Sequence, residues 1–583
     1  MKRHYSTEKN TQIVISLLKQ HGIKKIIISP GATNINFVAS VQQDSYFETY
    51  SSVDERSAAY MACGLSRESG EPVVLSCTGA TSSRNYMPGL TEAYYSKLPI
   101  IAITSSQPTN RVGHHIAQVT DRSTPPIDTV KYSTTLPIVN DESDIWDCEI
   151  KINSALLETK RNGGGPVHLN LQTTYSCDYS VVELPIYRKI DRITVYDSMP
   201  VLPNGKVAIF IGAHSQMSDR LTLAIDKFCE SNNAVVFCDH TSGYKGKYRV
   251  LLSLLAYQHG QKEIYRPDLL IHIGEISGDY PTLGMNIKSV WRVNLDGEIR
   301  DTFRSLKYVF EMSEEYFFNQ YSSSTPKEST YFKACNDALK SVREKMPELP
   351  LSNIWIASKL AHLIPDNSTI HFAILNSLRA WNLFELPASV NSCSNVGGFG
   401  IDGCTSSLIG ASLANLDRLY FLVTGDLAFF YDLNSVGNRH VPNRVRILLV
   451  NNGKGTEFRN AGHAAAEFGD DADLYMAAAG HYGNRSTTLI KHYAEDLGYE
   501  YLTASTKDEF NQVYEQFVSP EITSKPMIFE VFTNNVDESD ALLAVRSIIE
   551  CKEDFSLRNS VKRVVKGVLG DNGLDVVKAV IKR

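Results

Sequence analysis

The stretch Phe421–Phe458, FLVTGDLAFFYDLNSVGNRHVPNRVRILLVNNGKGTEF, decides how the rest of the chain is read. Two apolar runs, Tyr420–Thr424 and Val445–Val450, read as buried parallel strands. The first ends in Gly425-Asp426 and the second in Asn451-Asn452, and segment 428–438 is long enough for a crossover helix between them. A doubly wound sheet puts both polar clusters at its carboxyl edge, where ligands bind. A carboxylate from Asp426 and an amide oxygen from Asn452 suit a hard cation such as Mg²⁺, with phosphate oxygens filling its remaining positions. An ordinary strand–turn–helix with Asp426 as its cap fits the same residues, and on this stretch alone both readings stand.

At 583 residues the chain exceeds one hydrophobic core and implies about three domains. A net charge of −7 argues against a general nucleic-acid binder, which needs a basic surface to neutralise phosphates. No apolar run reaches the length of a membrane span, and MKRHYSTEKN is not followed by a signal-peptide core. The ten cysteines are scattered and none forms a CxxC pair, which disfavours a zinc or redox motif and points to reduced thiols in a cytoplasmic protein.

Taken in order, residues 8–22 have the pattern of an amphipathic helix. Strands are expected at Ile23–Ile28, Phe47–Val53, Pro72–Cys77, Pro99–Thr104 and Pro166–Leu171, with helices from Asp54-Glu55 and over 84–96. This regular alternation predicts an open α/β domain over 1–182. Three prolines in 181–204 suggest a linker. A second α/β domain is expected over 200–320, with Gly212, Ser215 and Gly274 at its strand ends as a weak phosphate-cradle candidate; a purely structural domain is the stronger reading. The third domain, 345–545, holds NSLRAW (376–381), NVGGFGIDG (395–403) and the opening stretch. The tail 551–583 is basic and patterned as an amphipathic helix, suited to packing on its own domain or to a membrane surface or partner.

Three of these segments together, Asp54-Glu55-Arg-Ser-Ala-Ala, the G-I-D-G element and GDL…NN, resemble the thiamine diphosphate enzymes of the pyruvate decarboxylase and acetolactate synthase superfamily. The GDLxxxYDLN wording and the N-S-L segment are most similar to the menaquinone-pathway synthases within it. The resemblance covers nearly the whole chain up to about 545. It implies three doubly wound parallel-sheet domains, named pyrimidine-binding, central and diphosphate-binding. It also implies thiamine diphosphate and Mg²⁺ as cofactors, and a homodimer or homotetramer with active sites between subunits.

Carried over residue by residue, the resemblance makes Glu55 the carboxyl group that shares a proton with the cofactor's pyrimidine ring. Ile401 becomes the apolar wedge between the two cofactor rings, and the carbonyl of Phe399 an acceptor for the aminopyrimidine. Asp426, Asn452 and the carbonyl of Lys454 become the Mg²⁺ ligands. Gly425 and the backbone amides of Leu427 and Ala428 would meet the diphosphate. Ser377 and Phe458 would border the cofactor, Gln118 would face the substrate, and Asn85 matches a loop residue of the first domain. His114 and His115 stand near Gln118 as candidate proton relays.

The departures bear on substrate. Where the menaquinone enzymes carry carboxylate-binding arginines, this chain has Thr33, Val396 and Trp381, with Arg379 nearby. None of those three residues reproduces a bidentate guanidinium contact. The implied activity is decarboxylation of a small 2-oxo acid with carboligation to an acceptor. The lost cations and the gained Trp381 favour an acceptor of lower negative charge, such as a sugar derivative. A simple decarboxylase, a menaquinone-pathway synthase using isochorismate and 2-oxoglutarate, and a non-catalytic scaffold of the same fold are the alternatives.

Overall fold

The computed structural model describes residues 4–480 and 486–549, so the basic tail 551–583 lies outside the described residues. The chain forms two compact units: the residues up to Met199 together with Asp296–Glu311, and Pro200–Leu295 together with the residues from Met312 onward.

The first unit carries strands β1 (Lys25–Ile28), β2 (Glu48–Ser51), β3 (Val73–Cys77), β4 (Ile100–Ser106), β5 (Tyr132–Leu136) and β6 (Val167–Gln172). They form one parallel sheet in the order β2-β1-β3-β4-β6-β5. Successive strand residues feed opposite faces, as the pleat requires. Val74, Ile101 and Ile103 pack with Ile13 and Leu17 of the helix Lys9–Gln20 and with Ile152 and Leu156 of the helix Glu142–Glu158. Val73, Leu75 and Ala102 pack with Ala58 and Ala62 of the helix Glu55–Ser69 and with Leu90 and Ala93 of the helix Met87–Tyr95. With helices on both faces, the parallel runs can be apolar throughout.

The expected helix over 84–96 is two helices, Thr81–Asn85 and Met87–Tyr95, because Pro88 has no N–H to continue the first one's ladder. The stretch 181–204, expected to be a linker, contains β7 (Asp191–Thr194).

In the second unit, β8 (Val207–Ile211), β9 (Ala234–Cys238), β10 (Arg249–Leu251), β11 (Leu269–Ile273) and β12 (Val290–Asn294) are ordered β10-β9-β8-β11-β12, all parallel. The next strand, β13 (Leu306–Glu311), belongs to the first unit and pairs in parallel with β7. The phosphate cradle considered at the ends of β8 and β11 is closed. A Cβ on Gly212 would lie 1.9 Å from the carbonyl oxygen of Glu275, and the two turns exchange backbone hydrogen bonds, Gly212 N to Ile273 O and Glu275 N to Ala213 O. The structural reading of these glycines holds.

The last sheet comprises β14 (Thr369–Phe372), β15 (Asn391–Ser394), β16 (Tyr420–Gly425), β17 (Val445–Asn451), β18 (Glu500–Ala504) and β19 (Met527–Phe532), in the order β15-β14-β16-β17-β19-β18 and again all parallel. All three sheets are parallel α/β layers. Every residue of β17 is buried, including Arg446, whose guanidinium donates to the carbonyls of Phe517 and Glu521. The crossover from β16 to β17 is two short helices, Asp426–Tyr431 and Leu433–Val436. The break falls at Asp432, whose carboxylate accepts from the N–H and hydroxyl of Ser406.

Candidate functional site

Strand order identifies where each sheet opens. In the last sheet the chain goes from β14 to β15 on one side and from β15 to β16 on the other, so the switch point lies at the carboxyl ends of β14 and β16. Asp426 follows β16 directly and is 2% exposed. Asn452 follows β17, whose Val450 is in register with Gly425. Asp426 Oδ2 and Asn452 Oδ1 are both buried acceptors with no hydrogen-bond donor. Asn452 Nδ2 is used elsewhere, donating to Thr456 Oγ1 at 3.3 Å. Burial pushes the Asp426 carboxyl up to about 7, although the N–H groups of Leu427 and Gly453 favour its charged form.

Two unsatisfied oxygens at adjacent strand ends, one of them on a carboxyl group held near neutrality, are what a hard cation would satisfy. The donor set fits Mg²⁺. Lys454 turns its ammonium to Asp473 at 2.6 Å, and its carbonyl accepts from Thr456 N at 2.9 Å, which leaves one lone pair of that oxygen for a further partner. Beside Asp426, a Cβ on Gly425 would meet nothing within 4 Å. Leu427 and Ala428 stand in the first turn of the helix Asp426–Tyr431, whose opening N–H groups have no carbonyl partner within the helix.

The loop from β15 to the helix Cys404–Ser412 brings up the G-I-D-G element. Phe399 sits at φ +52°, a left-handed conformation uncommon for a side chain of this size. Its ring lies 6.0 Å from that of Tyr280. Ile401 is half-buried and packs on the core that holds Leu408, Ala428 and Phe429. Ser377 is buried in the helix Asn376–Trp381, which follows β14. Phe458 is 36% exposed, its ring edge-on to His463 at 5.3 Å, so core packing does not account for it.

In the first unit the order reverses between β1 and β3. Glu55 opens the helix Glu55–Ser69, where Asp54 caps the end by accepting from Ser57 N at 2.9 Å and a carboxylate meets the positive end of the macrodipole. Asn85 Nδ2 donates to Glu55 Oε2 at 3.3 Å. Two residues singled out separately in the sequence thus meet. Thr33, after β1, donates its hydroxyl to Ser105 O at 2.7 Å and so accepts from the Thr78 hydroxyl at 2.6 Å, which ties three strand ends together. Gln118, His114 and His115 lie exposed on the loop after β4, Gln118 at φ +65°.

Two substrate readings change. Trp381 is 1% exposed, its ring 5.6 Å from that of Phe372 in the core, so it does not present a surface to an acceptor. Arg379 is engaged by Glu457, 2.7 and 2.8 Å from the two carboxylate oxygens, and lies 4.7 Å over the ring of Tyr280. Arg122, which no sequence pattern flagged, lies at the carboxyl edge of the first sheet. Its Nη2 donates to Asn170 Oδ1 at 2.6 Å, and its Nε and Nη1 are buried without partners. It stands alone in a Ser/Pro-rich loop, where no periodicity marks it.

Among the described residues no group of three or more His, Cys, Asp or Glu side chains converges as a metal cluster, nine cysteines are free thiols, and no helix is long and apolar enough to cross a membrane. Residues 9–124 match the family model described as thiamine pyrophosphate enzyme, N-terminal TPP binding domain. Over nearly its full length the chain is similar to proteins named 2-succinyl-5-enolpyruvyl-6-hydroxy-3-cyclohexene-1-carboxylate synthase. That of Phocaeicola vulgatus is 28% identical, covering 92% of this chain and 98% of its own. That of Bacteroides thetaiotaomicron is 29% identical over 91% and 97%. That of Flavobacterium johnsoniae is 26% identical over 91% and 97%.

Proposed function

We propose that this enzyme of the thiamine diphosphate family decarboxylates a small 2-oxo acid and joins the remaining carbon unit to an acceptor. The observation that carries the reading is the pair of unsatisfied oxygens, Asp426 Oδ2 and Asn452 Oδ1, beside the open space at Gly425. Together with the Lys454 carbonyl they would hold Mg²⁺, and the Leu427 and Ala428 amides would take the diphosphate. When bound, thiamine diphosphate supplies the electron sink for the carbanion that loss of CO₂ leaves behind. Ile401 would pack against the rings of the bound cofactor, the Phe399 carbonyl would accept from its amino group, and Ser377 and Phe458 would border it.

Glu55 would share a proton with the pyrimidine nitrogen of the bound cofactor, its carboxyl held by Asn85, which donates to Oε2. Gln118 orients the substrate. The enzyme is a homo-oligomer in which Glu55 comes from one copy and Asp426 and Asn452 from another.

The full-length similarity to the named synthases supports a second reading, in which the chain catalyses their reaction. The presence of Thr33, Val396 and Trp381 where the resemblance implies carboxylate-binding arginines weighs against it. The acceptor we favour carries less negative charge than theirs, a sugar derivative being one such class.

Two measurements test the proposal. Titration of thiamine diphosphate with Mg²⁺ should give saturable heat for the wild type and for Glu55→Gln alike. Glu55→Gln should lose CO₂ release from pyruvate or 2-oxoglutarate by at least about a hundredfold, the scale of a lost general acid–base. Absence of cofactor binding, or wild-type turnover in Glu55→Gln, would sink it. Turnover of isochorismate with 2-oxoglutarate would select the second reading.

A further inference from the structure

The loop after β4 and the carboxyl edge of the first sheet enclose a cavity of about 250 Å³, whose walls include Ser106, Gln118, Thr120, Arg122 and Asn170. Three of these residues carry buried polar atoms without hydrogen-bond partners: Ser106 Oγ, Thr120 Oγ1, and both Nε and Nη1 of Arg122. Buried donors are ordinarily satisfied, and several left open around one space point to a guest that accepts.

The guest's charge follows from what surrounds Arg122. The ionisable neighbours acting on it are Arg84 and the Cys77 thiol, and no carboxylate pairs with it among the described residues. Asp121, the acid that also lines the cavity, engages the Ser123 N–H and hydroxyl through its Oδ1 at 2.9 and 2.7 Å. Burial draws the guanidinium down to about 10, which leaves it charged at neutral pH. Arg122 is half-buried, and its buried Nε and Nη1 carry part of the desolvation cost of a charge without a counter-charge, a cost that an arriving anion would offset.

Its position joins it to the site already described. A Cβ on Gly79, in the turn after β3, would lie 3.2 Å from Arg122 Nη1, and Gly79 N donates to Thr33 Oγ1 at 3.3 Å. Glu55 and Arg122 both act on the buried Cys77 thiol at the end of β3. Burial pushes that thiol up to about 12, Glu55 adds to the rise and Arg122 opposes it. The guanidinium therefore reaches, from the loop after β4, the strand-end network in which Thr33 stands.

We propose that Arg122 is the anion-binding residue of this active site, receiving a carboxylate or phosphate group of the substrate with Ser106 and Thr120 donating to the same oxyanion. The anion it holds is one that survives the reaction. A cation paired with the departing carboxylate would stabilise charge that decarboxylation must remove, and would slow it. The substrate is thus a 2-oxo acid with a second acidic group, or an acceptor that carries one. The designation of the cavity as part of an active site rests on the proposed function; the anion site itself is independent of it.

The test uses the full chain with thiamine diphosphate and Mg²⁺. Succinate, which cannot be decarboxylated, and inorganic phosphate are titrated calorimetrically into wild type, Arg122→Gln and Arg122→Lys. We expect the wild type to bind at least one of the two, the tighter ligand identifying the oxyanion as carboxylate or phosphate. Affinity should fall about ten- to hundredfold in Arg122→Gln and by less in Arg122→Lys, which keeps the charge but not the fork. Equal affinity in wild type and Arg122→Gln, or no binding of either anion to the wild type, overturns the proposal. Thermal melts of the three proteins show whether a loss reflects unfolding. Titration of thiamine diphosphate into the same proteins reads the cofactor proposal separately, and its failure leaves the anion result to decide the role of Arg122.

Discussion

Replacing Asp426 with asparagine should stabilise the protein and disable it at once. In the cofactor-free chain the Asp426 carboxyl is buried, and its Oδ2 has no donor. Its shift from 3.8 to about 7 corresponds to about 4 kcal/mol at about 1.36 kcal/mol per pH unit. The sign follows from which state ionises first. Below about pH 4 the carboxyl is protonated in both folded and unfolded chains and there is no penalty. As pH rises, the unfolded chain ionises while the folded one resists, so the penalty grows until about pH 7 and is constant above it. Asparagine removes this term but leaves a buried NH₂ facing the same partnerless space, at a cost of about 1–3 kcal/mol. At pH 8 in EDTA, Asp426→Asn should therefore be more stable than the wild type by about 1–3 kcal/mol, and the advantage should shrink or reverse at pH 5. Urea unfolding at the two pH values reads the difference. Thiamine diphosphate with Mg²⁺ should then raise the wild-type melting temperature, as any ligand of the native state does, and leave the variant unmoved. A variant that gains as much as the wild type from Mg²⁺ and cofactor refutes the metal assignment. A variant less stable than the wild type at pH 8 refutes the buried-charge reasoning.

Two further outcomes follow from burial. Trp381→Ala should cost about 3–5 kcal/mol in urea unfolding, and Trp381→Phe less, because it keeps an aromatic ring against Phe372 and drops the partnerless indole N–H. Lost turnover at unchanged stability would instead place Trp381 at the substrate. Glu538, raised by burial from 4.5 to about 7, should make the wild type lose about 3 kcal/mol as pH rises between those values. Glu538→Gln should flatten that profile, with an unchanged slope in the variant counting against the assignment.

The parts of the fold legible in the sequence are those with strong local signals. The apolar runs of β4 and β17 are buried throughout, and the Gly-Asp and Asn-Asn clusters mark where two of the last sheet's strands end. What escaped has weak local signal. The strands Asp191–Thr194 and Asn391–Ser394 are short, polar and only half-buried, and are held by their neighbours' hydrogen bonds rather than by hydrophobic pattern. The two helices of the β16–β17 crossover turn on an Asp432–Ser406 contact that no periodicity reveals. Site chemistry divides the same way. Glu55 and Asp426 sit at fixed offsets from strand ends, so a motif locates them. The Arg379–Glu457 pair joins residues 78 positions apart, and Arg122 acts from a loop. A tryptophan in a short helix can as easily line a pocket as fill a core, and only packing decided Trp381.

The pairing of β7 with β13 has a consequence for how the chain is made. More than a hundred residues separate the two strands, and β7 has no other neighbour in its sheet. On a ribosome delivering about 5–20 residues each second, Asp191–Thr194 waits several seconds with bare hydrogen-bonding groups until Leu306–Glu311 appears. The all-parallel sheets offer no hairpins to nucleate earlier. A nascent chain halted before residue 306 thus displays an open strand edge, and so would any fragment ending at Met199. Chaperone demand during synthesis, and poor yield of an isolated amino-terminal fragment, are written into that one pairing.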